Sequence, residues 1–103
     1  LISQPELLLL DEPAAGLDLS GREDLLLALT RLAEMPQSPA MILVTHHVEQ
    51  IPAGFTDLAL MRQGRLTVTG QLSTVMTSQN LSQAFDRPLA VTQVAQRWTA
   101  RAA

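Results

Sequence analysis

At 103 residues, 47% hydrophobic but only 3% aromatic, the chain has the size and make-up of one globular domain at most, rich in Leu and Ala, with a modest core. A formal charge of −3 and a pI near 5.1 argue against a basic nucleic-acid surface, and no run of like charges marks a tail. The absence of cysteine excludes a disulfide framework and a thiolate metal site, and no apolar run approaches the ~20 residues of a membrane span.

The chain opens on Leu1-Ile2-Ser3-Gln4-Pro5-Glu6, where Pro5 pushes the residue before it away from helical angles and closes any helix there. Leu7-Leu8-Leu9-Leu10 then runs into Asp11-Glu12-Pro13. Four consecutive aliphatic residues predict a strand buried on both faces, as in the middle of a parallel sheet, and Pro13 ends it. Carboxylates at the C-terminal end of such a strand sit where open α/β sheets place their ligands. Adjacent acids repel unless a cation or separate hydrogen-bond partners keep both ionised. One division of labour is that Asp11 faces Mg²⁺ or its water shell while Glu12 orients or deprotonates a water. On their own, the two acids read better as caps for the next turn.

After Ala14-Ala15-Gly16-Leu17-Asp18, the spacing of Ser20 and Glu23 predicts a capping box. A helix follows to about Glu34, with Leu25, Leu26, Leu29, Leu32 and Ala33 on one side and most of the charges on the other. Pro36 and Pro39 bracket its exit. Ala40-Met41-Ile42-Leu43-Val44 is again continuously apolar, so strand, helix and strand form a parallel, right-handed crossover that delivers His46 beside Asp11 and Glu12. Two adjacent histidines diverge and no cysteine completes a set, so His46 and His47 do not make a metal site. His47 reads as a surface or helix-start residue.

A short helix over His47 to Ile51 stops at Pro52, and Ala53 to Thr56 form a loop. Leu58, Leu60, Leu66 and Val68 alternate around Gln63-Gly64, which predicts a hairpin whose tight turn needs Gly64 at positive φ. Gln71 to Phe85 reads as helix in two pieces, with Ser78 as a cap for the second. Beyond Pro88 the pattern weakens to an extra strand followed by a loose tail, in which Trp98 is a packing residue or a tail aromatic.

Taken together, Leu7 to Glu12, Ala14 to Asp18 and Thr45-His46 resemble the ABC-type ATPase family, at the spacing a βαβ unit requires. In that family they are the Walker B motif, the D-loop and the H-loop. The resemblance covers Leu1 to roughly Leu89 and implies the C-terminal half of a nucleotide-binding domain, with residues 90–103 an extension or tail. It implies an α/β fold: a partial P-loop NTPase-type sandwich with parallel central strands, a C-terminal β-hairpin and short helices. The implied cofactors are ATP and Mg²⁺. Asp11 would hold the metal, Glu12 would polarise the attacking water, His46 would contact the γ-phosphate, and Asp18 would reach the nucleotide across a dimer interface.

The chain has no lysine, so it contains no Gly-x-x-x-x-Gly-Lys-Ser/Thr phosphate cradle, and the family's signature motif is also missing. Leu19-Ser20-Gly21 imitates that motif in the wrong place. The expected partners are therefore an N-terminal half carrying the P-loop, a second ABC ATPase domain and a membrane permease subunit, with no nucleic acid. The expected location is cytoplasmic, at the inner face of a membrane, and the chain alone is expected to be inactive. Competing readings are a soluble ABC protein of repair or translation, a non-catalytic remnant, and an unrelated phosphohydrolase using the acid pair. The last leaves Asp18 and His46 unexplained.

Overall fold

The computed structural model describes residues 6–103, so the helix closure expected at Pro5 lies outside the described residues. Two compact units divide the chain, one ending at Gly54 and the other running Phe55–Ala103. Each has its own strands.

The first unit contains β1 (Leu7–Asp11), α1 (Leu19–Ala33), β2 (Ala40–Val44) and a single 3₁₀ turn (Val48–Gln50). β1 and β2 are parallel neighbours, in register from Leu7 opposite Ala40 to Asp11 opposite Val44. The expected strand–helix–strand unit is therefore present, but burial on both faces is not. Leu8, Leu10, Met41 and Leu43 are half-buried, whereas Leu7, Leu9, Ile42 and Val44 on the other face are exposed. Successive side chains of a strand point to opposite faces, and among the described residues only one face of this sheet is covered.

α1 buries Leu26, at 2% exposure, and Leu29, with Leu25, Leu32 and Ala33 half-buried alongside, as the helical spacing predicts. Its cap differs from the expected Ser20. Leu19 and Ser20 are already helical, and the Oδ1 of Asp18 accepts the Gly21 N–H at 2.8 Å. Gly21 leaves that carboxylate room, because a Cβ there would come within 3.2 Å of Oδ1. An N-cap needs an extended residue two or three positions before a free N–H, and Asp18 has that backbone where Ser20 does not.

In the second unit β3 (Asp57–Arg62) and β4 (Arg65–Gln71) form the expected antiparallel hairpin. Gln63 and Gly64 both take positive φ, at 53° and 78°, the conformation whose twist suits a two-residue hairpin turn. α2 (Leu72–Val75) and α3 (Ser78–Phe85) are the expected two helical pieces. Thr77 rather than Ser78 caps α3, its hydroxyl accepting the Asn80 N–H at 3.0 Å. The Ser78 hydroxyl instead accepts the Val91 N–H at 2.9 Å.

Residues 89–102 are not a strand and a loose tail. β5 (Leu89–Val94) and β6 (Arg97–Ala102) pair antiparallel around Ala95-Gln96, both at positive φ, and Trp98 is buried at 7% exposure. Ser82 helps to dock this hairpin, since its hydroxyl accepts the Leu89 N–H at 2.9 Å. Trp98 shares the buried apolar set of this unit with Leu60, Leu72, Val75, Met76, Leu81 and Ala84.

Candidate functional site

The site is built where β1 and β2 end side by side. Asp11, the last residue of β1, lies opposite Val44, the last of β2. One residue further on, Glu12 turns out of the sheet with φ of +49°, and its N–H donates to the Val44 carbonyl at 2.8 Å. A non-glycine residue in the left-handed region carries backbone strain and persists only where its surroundings hold it. That turn brings the Glu12 carboxylate across to the segment leaving β2.

There the Oε2 of Glu12 accepts two hydrogen bonds from one residue: the backbone N–H of His46 at 3.0 Å, and the His46 ring through Nδ1. For that contact to be a hydrogen bond to an ionised carboxylate Nδ1 must carry a proton, and Nε2 is the ring nitrogen that Glu12 does not engage. The His46 side chain is 77% exposed, so contact with Glu12 rather than packing sets its direction. Thr45 stands beside them, with Oγ1 3.5 Å from Oε1 of Glu12. The hydrogen bond from the His46 ring, its backbone N–H and the nearby charge of His46 and His47 hold the Glu12 carboxyl below the ordinary carboxylate range, against burial, which pushes the other way. Glu12 is therefore ionised at neutral pH.

The remaining candidates fall differently. The Asp11 carboxylate is exposed and has no hydrogen-bond partner among the described residues. Asp18 is not drawn into the cluster: its carboxylate caps α1. His47 starts the 3₁₀ turn, as expected, and its N–H donates to Thr45 Oγ1 at 3.1 Å. Gln50 is the residue that the sequence reading passed over. Its Oε1 accepts the Thr45 hydroxyl at 2.8 Å. The available signal was a polar residue in the first turn after the His46 loop.

Comparison with known proteins bears on the same stretch. Over 91 residues the chain is 42% identical to the uncharacterised ABC transporter ATP-binding protein YlmA of Bacillus subtilis, a match covering 88% of this chain and 34% of that protein. The chain belongs to the ABC-type ATPase family. It is also 40% identical over 81 residues to the molybdenum import ATP-binding protein ModC of Rhodobacter capsulatus, with 79% of this chain and 22% of that ATPase covered. The cobalt import ATP-binding protein CbiO of the same species is 40% identical over 93 residues, 89% of this chain and 32% of its own length. A solved structure described as an inward-facing metal-chelate type ABC transporter superposes with a TM-score of 0.73 at 26% identity, over 93% of this chain and 38% of that one. The ABC-type ATPase fold is therefore the fold of this chain, which spans about a third or less of the length of these relatives. No family model matches it. Among the described residues no helix is long and apolar enough to cross a membrane.

Proposed function

We propose that the chain forms one side of the nucleotide site in an ABC-type ATPase subunit that hydrolyses ATP to drive transport. The observation that carries this reading is the double hold of His46 on Glu12 Oε2 at the C-terminal ends of two paired parallel strands. With Oε2 engaged, Oε1 is the less committed carboxylate oxygen, placed to accept a hydrogen bond from the attacking water and then its proton. With Nδ1–H given to Glu12, a contact from Nε2 to the γ-phosphate requires a proton on that nitrogen too, so His46 would donate to the phosphate as the imidazolium. Phosphoryl transfer depends on such positioning and charge neutralisation more than on covalent chemistry.

The donor set fits Mg²⁺ carried by the nucleotide. No group of three or more His, Asp or Glu residues among the described residues forms a metal cage, while Asp11 offers one uncommitted carboxylate. Mg²⁺ takes one or two protein carboxylates and fills its other positions with phosphate oxygens and water. Asp11 would hold it, and when bound it neutralises charge on the phosphates. Asp18 meets the site of a second ATPase domain across a dimer interface while it caps its own helix.

The cradle for the β- and γ-phosphates comes from outside this chain, which has no lysine for a P-loop and whose relatives are about three times as long. The remaining partners are the P-loop segment of the same subunit, the second ATPase domain and a membrane permease, with the site on the cytoplasmic side. The test is Glu12→Gln in the full-length subunit. Hydrolysis should fall about a hundredfold or more, the range lost with a general base, while ATP stays bound. Turnover at the parent rate would defeat the assignment.

A further inference from the structure

Thr45 has one hydroxyl proton and two nearby acceptors. Oε1 of Gln50 lies at 2.8 Å and Oε1 of Glu12 at 3.5 Å, so the proton goes to Gln50. The same hydroxyl oxygen accepts the His47 N–H at 3.1 Å, and the Gln50 N–H donates to the His47 carbonyl at 2.9 Å. Residues 45–50 are thus tied into a closed ring of hydrogen bonds, with Gln50 contributing both its backbone and its side chain.

His46 lies inside that ring. Its side chain is exposed, so no packing holds it, and its N–H and ring reach Glu12 only if the backbone of residues 45–47 stays where the ring holds it. We infer that Gln50 is a positioning residue for hydrolysis: by engaging the Thr45 hydroxyl it holds the His46 loop against Glu12 and keeps that hydroxyl off Glu12 Oε1. The inference deepens the proposed function and rests on it, since it needs Glu12 to be the group that handles water. Among the described residues the Gln50 side chain makes its hydrogen bond to Thr45 and none to Glu12 or His46. Its effect passes through Thr45.

The test uses the full-length subunit with Mg-ATP. Gln50→Leu removes the acceptor at similar volume and should lower kcat roughly three- to tenfold, the size of one lost neutral hydrogen bond, with KM for ATP within about twofold. Gln50→Glu keeps an acceptor at the same reach and should restore kcat to within about twofold of the parent. Thr45→Val deletes the hydroxyl from the other side, so its loss and that of Gln50→Leu should not add in the double variant. If Gln50→Leu does not fold, Thr45→Val and Gln50→Glu still carry the test. An unchanged kcat in Gln50→Leu or Thr45→Val, a defect confined to KM, a Gln50→Glu variant that is not rescued, or fully additive losses would each overturn the inference. Glu12→Gln, run in parallel, separates the two levels. Hydrolysis surviving in Glu12→Gln defeats the proposed function, whereas its loss combined with any of those Gln50 results defeats the positioning role alone.

Discussion

Two histidines follow one another after β2, and the structure gives them different work. The His46 ring and N–H both reach Glu12, whereas His47 contributes its backbone N–H to Thr45 and starts the next turn. In the full-length subunit His46→Ala should therefore cost at least about tenfold in ATP hydrolysis, and His47→Ala about twofold or less. Steady-state kinetics of the pair decides the matter: equal losses would mean that neither ring has the proposed phosphate contact. At this scale the sequence was informative wherever a side chain's place follows from the end of a strand. Asp11, Glu12 and His46 were legible because two apolar runs of matched length must end together in a parallel pair. Gln50 was not, because its partner is set by how the loop folds back and no periodicity encodes that. Asp18 was legible as a residue that precedes a helix, but which oxygen caps depends on backbone angles, and Ser20 offered a competing pattern.

Elements follow the same logic with their own failures. Asp18 holds the start of α1, so Asp18→Ala should destabilise the fold by about 1 kcal/mol, a typical loss for an N-cap. Asp18→Asn keeps an oxygen acceptor and should melt close to the parent. The two variants separate structure from chemistry: a full-length Asp18→Asn subunit that melts normally but hydrolyses slowly has lost a function of the charge, and one with normal hydrolysis shows that capping is the whole role. The β3–β4 turn was readable because Gly64 supplies positive φ without steric cost, whereas the β5–β6 turn places Ala95 and Gln96 in that region and advertises nothing. What pins that second hairpin is burial, since Trp98 lies inside while Val94 at its tip is 72% exposed. Trp98→Ala should cost about 3 kcal/mol or more, and Val94→Thr less than about 0.5 kcal/mol, in chemical denaturation. A Trp98→Ala protein as stable as the parent would mean that the hairpin is held by its backbone pairing and by the Ser78 and Ser82 contacts instead.

The unit ending at Gly54 presents one consequence that belongs to the chain as a whole. Leu7 and Leu9 on β1 adjoin Ile42 and Val44 on β2, and these four side chains are 43–63% exposed on one face of a parallel pair. Parallel strands are ordinarily covered on both faces, and a four-aliphatic run predicts the same, so the sequence describes a more enclosed strand than this chain alone provides. An open apolar face and, among the described residues, two unpaired strand edges favour association between copies. Expressed by itself, the chain should be aggregation-prone and should bind a hydrophobic-surface dye, and co-expression with the proposed P-loop-bearing segment should raise its soluble yield and suppress dye binding. The same deficit bears on function. In the proposed function Asp11, Glu12 and His46 would provide the water side and a metal carboxylate, but the chain has no lysine or glycine-rich cradle for the β- and γ-phosphates, where most of the affinity for nucleotide would reside. Calorimetric titration of the purified chain with Mg-ATP should therefore show no binding in the micromolar range, and Mg²⁺-dependent hydrolysis should appear only with the complementing segment present. Micromolar binding by the chain alone would mean that the exposed strand ends and the His46 loop suffice to hold a nucleotide, and the division of labour proposed for the two segments would have to be redrawn.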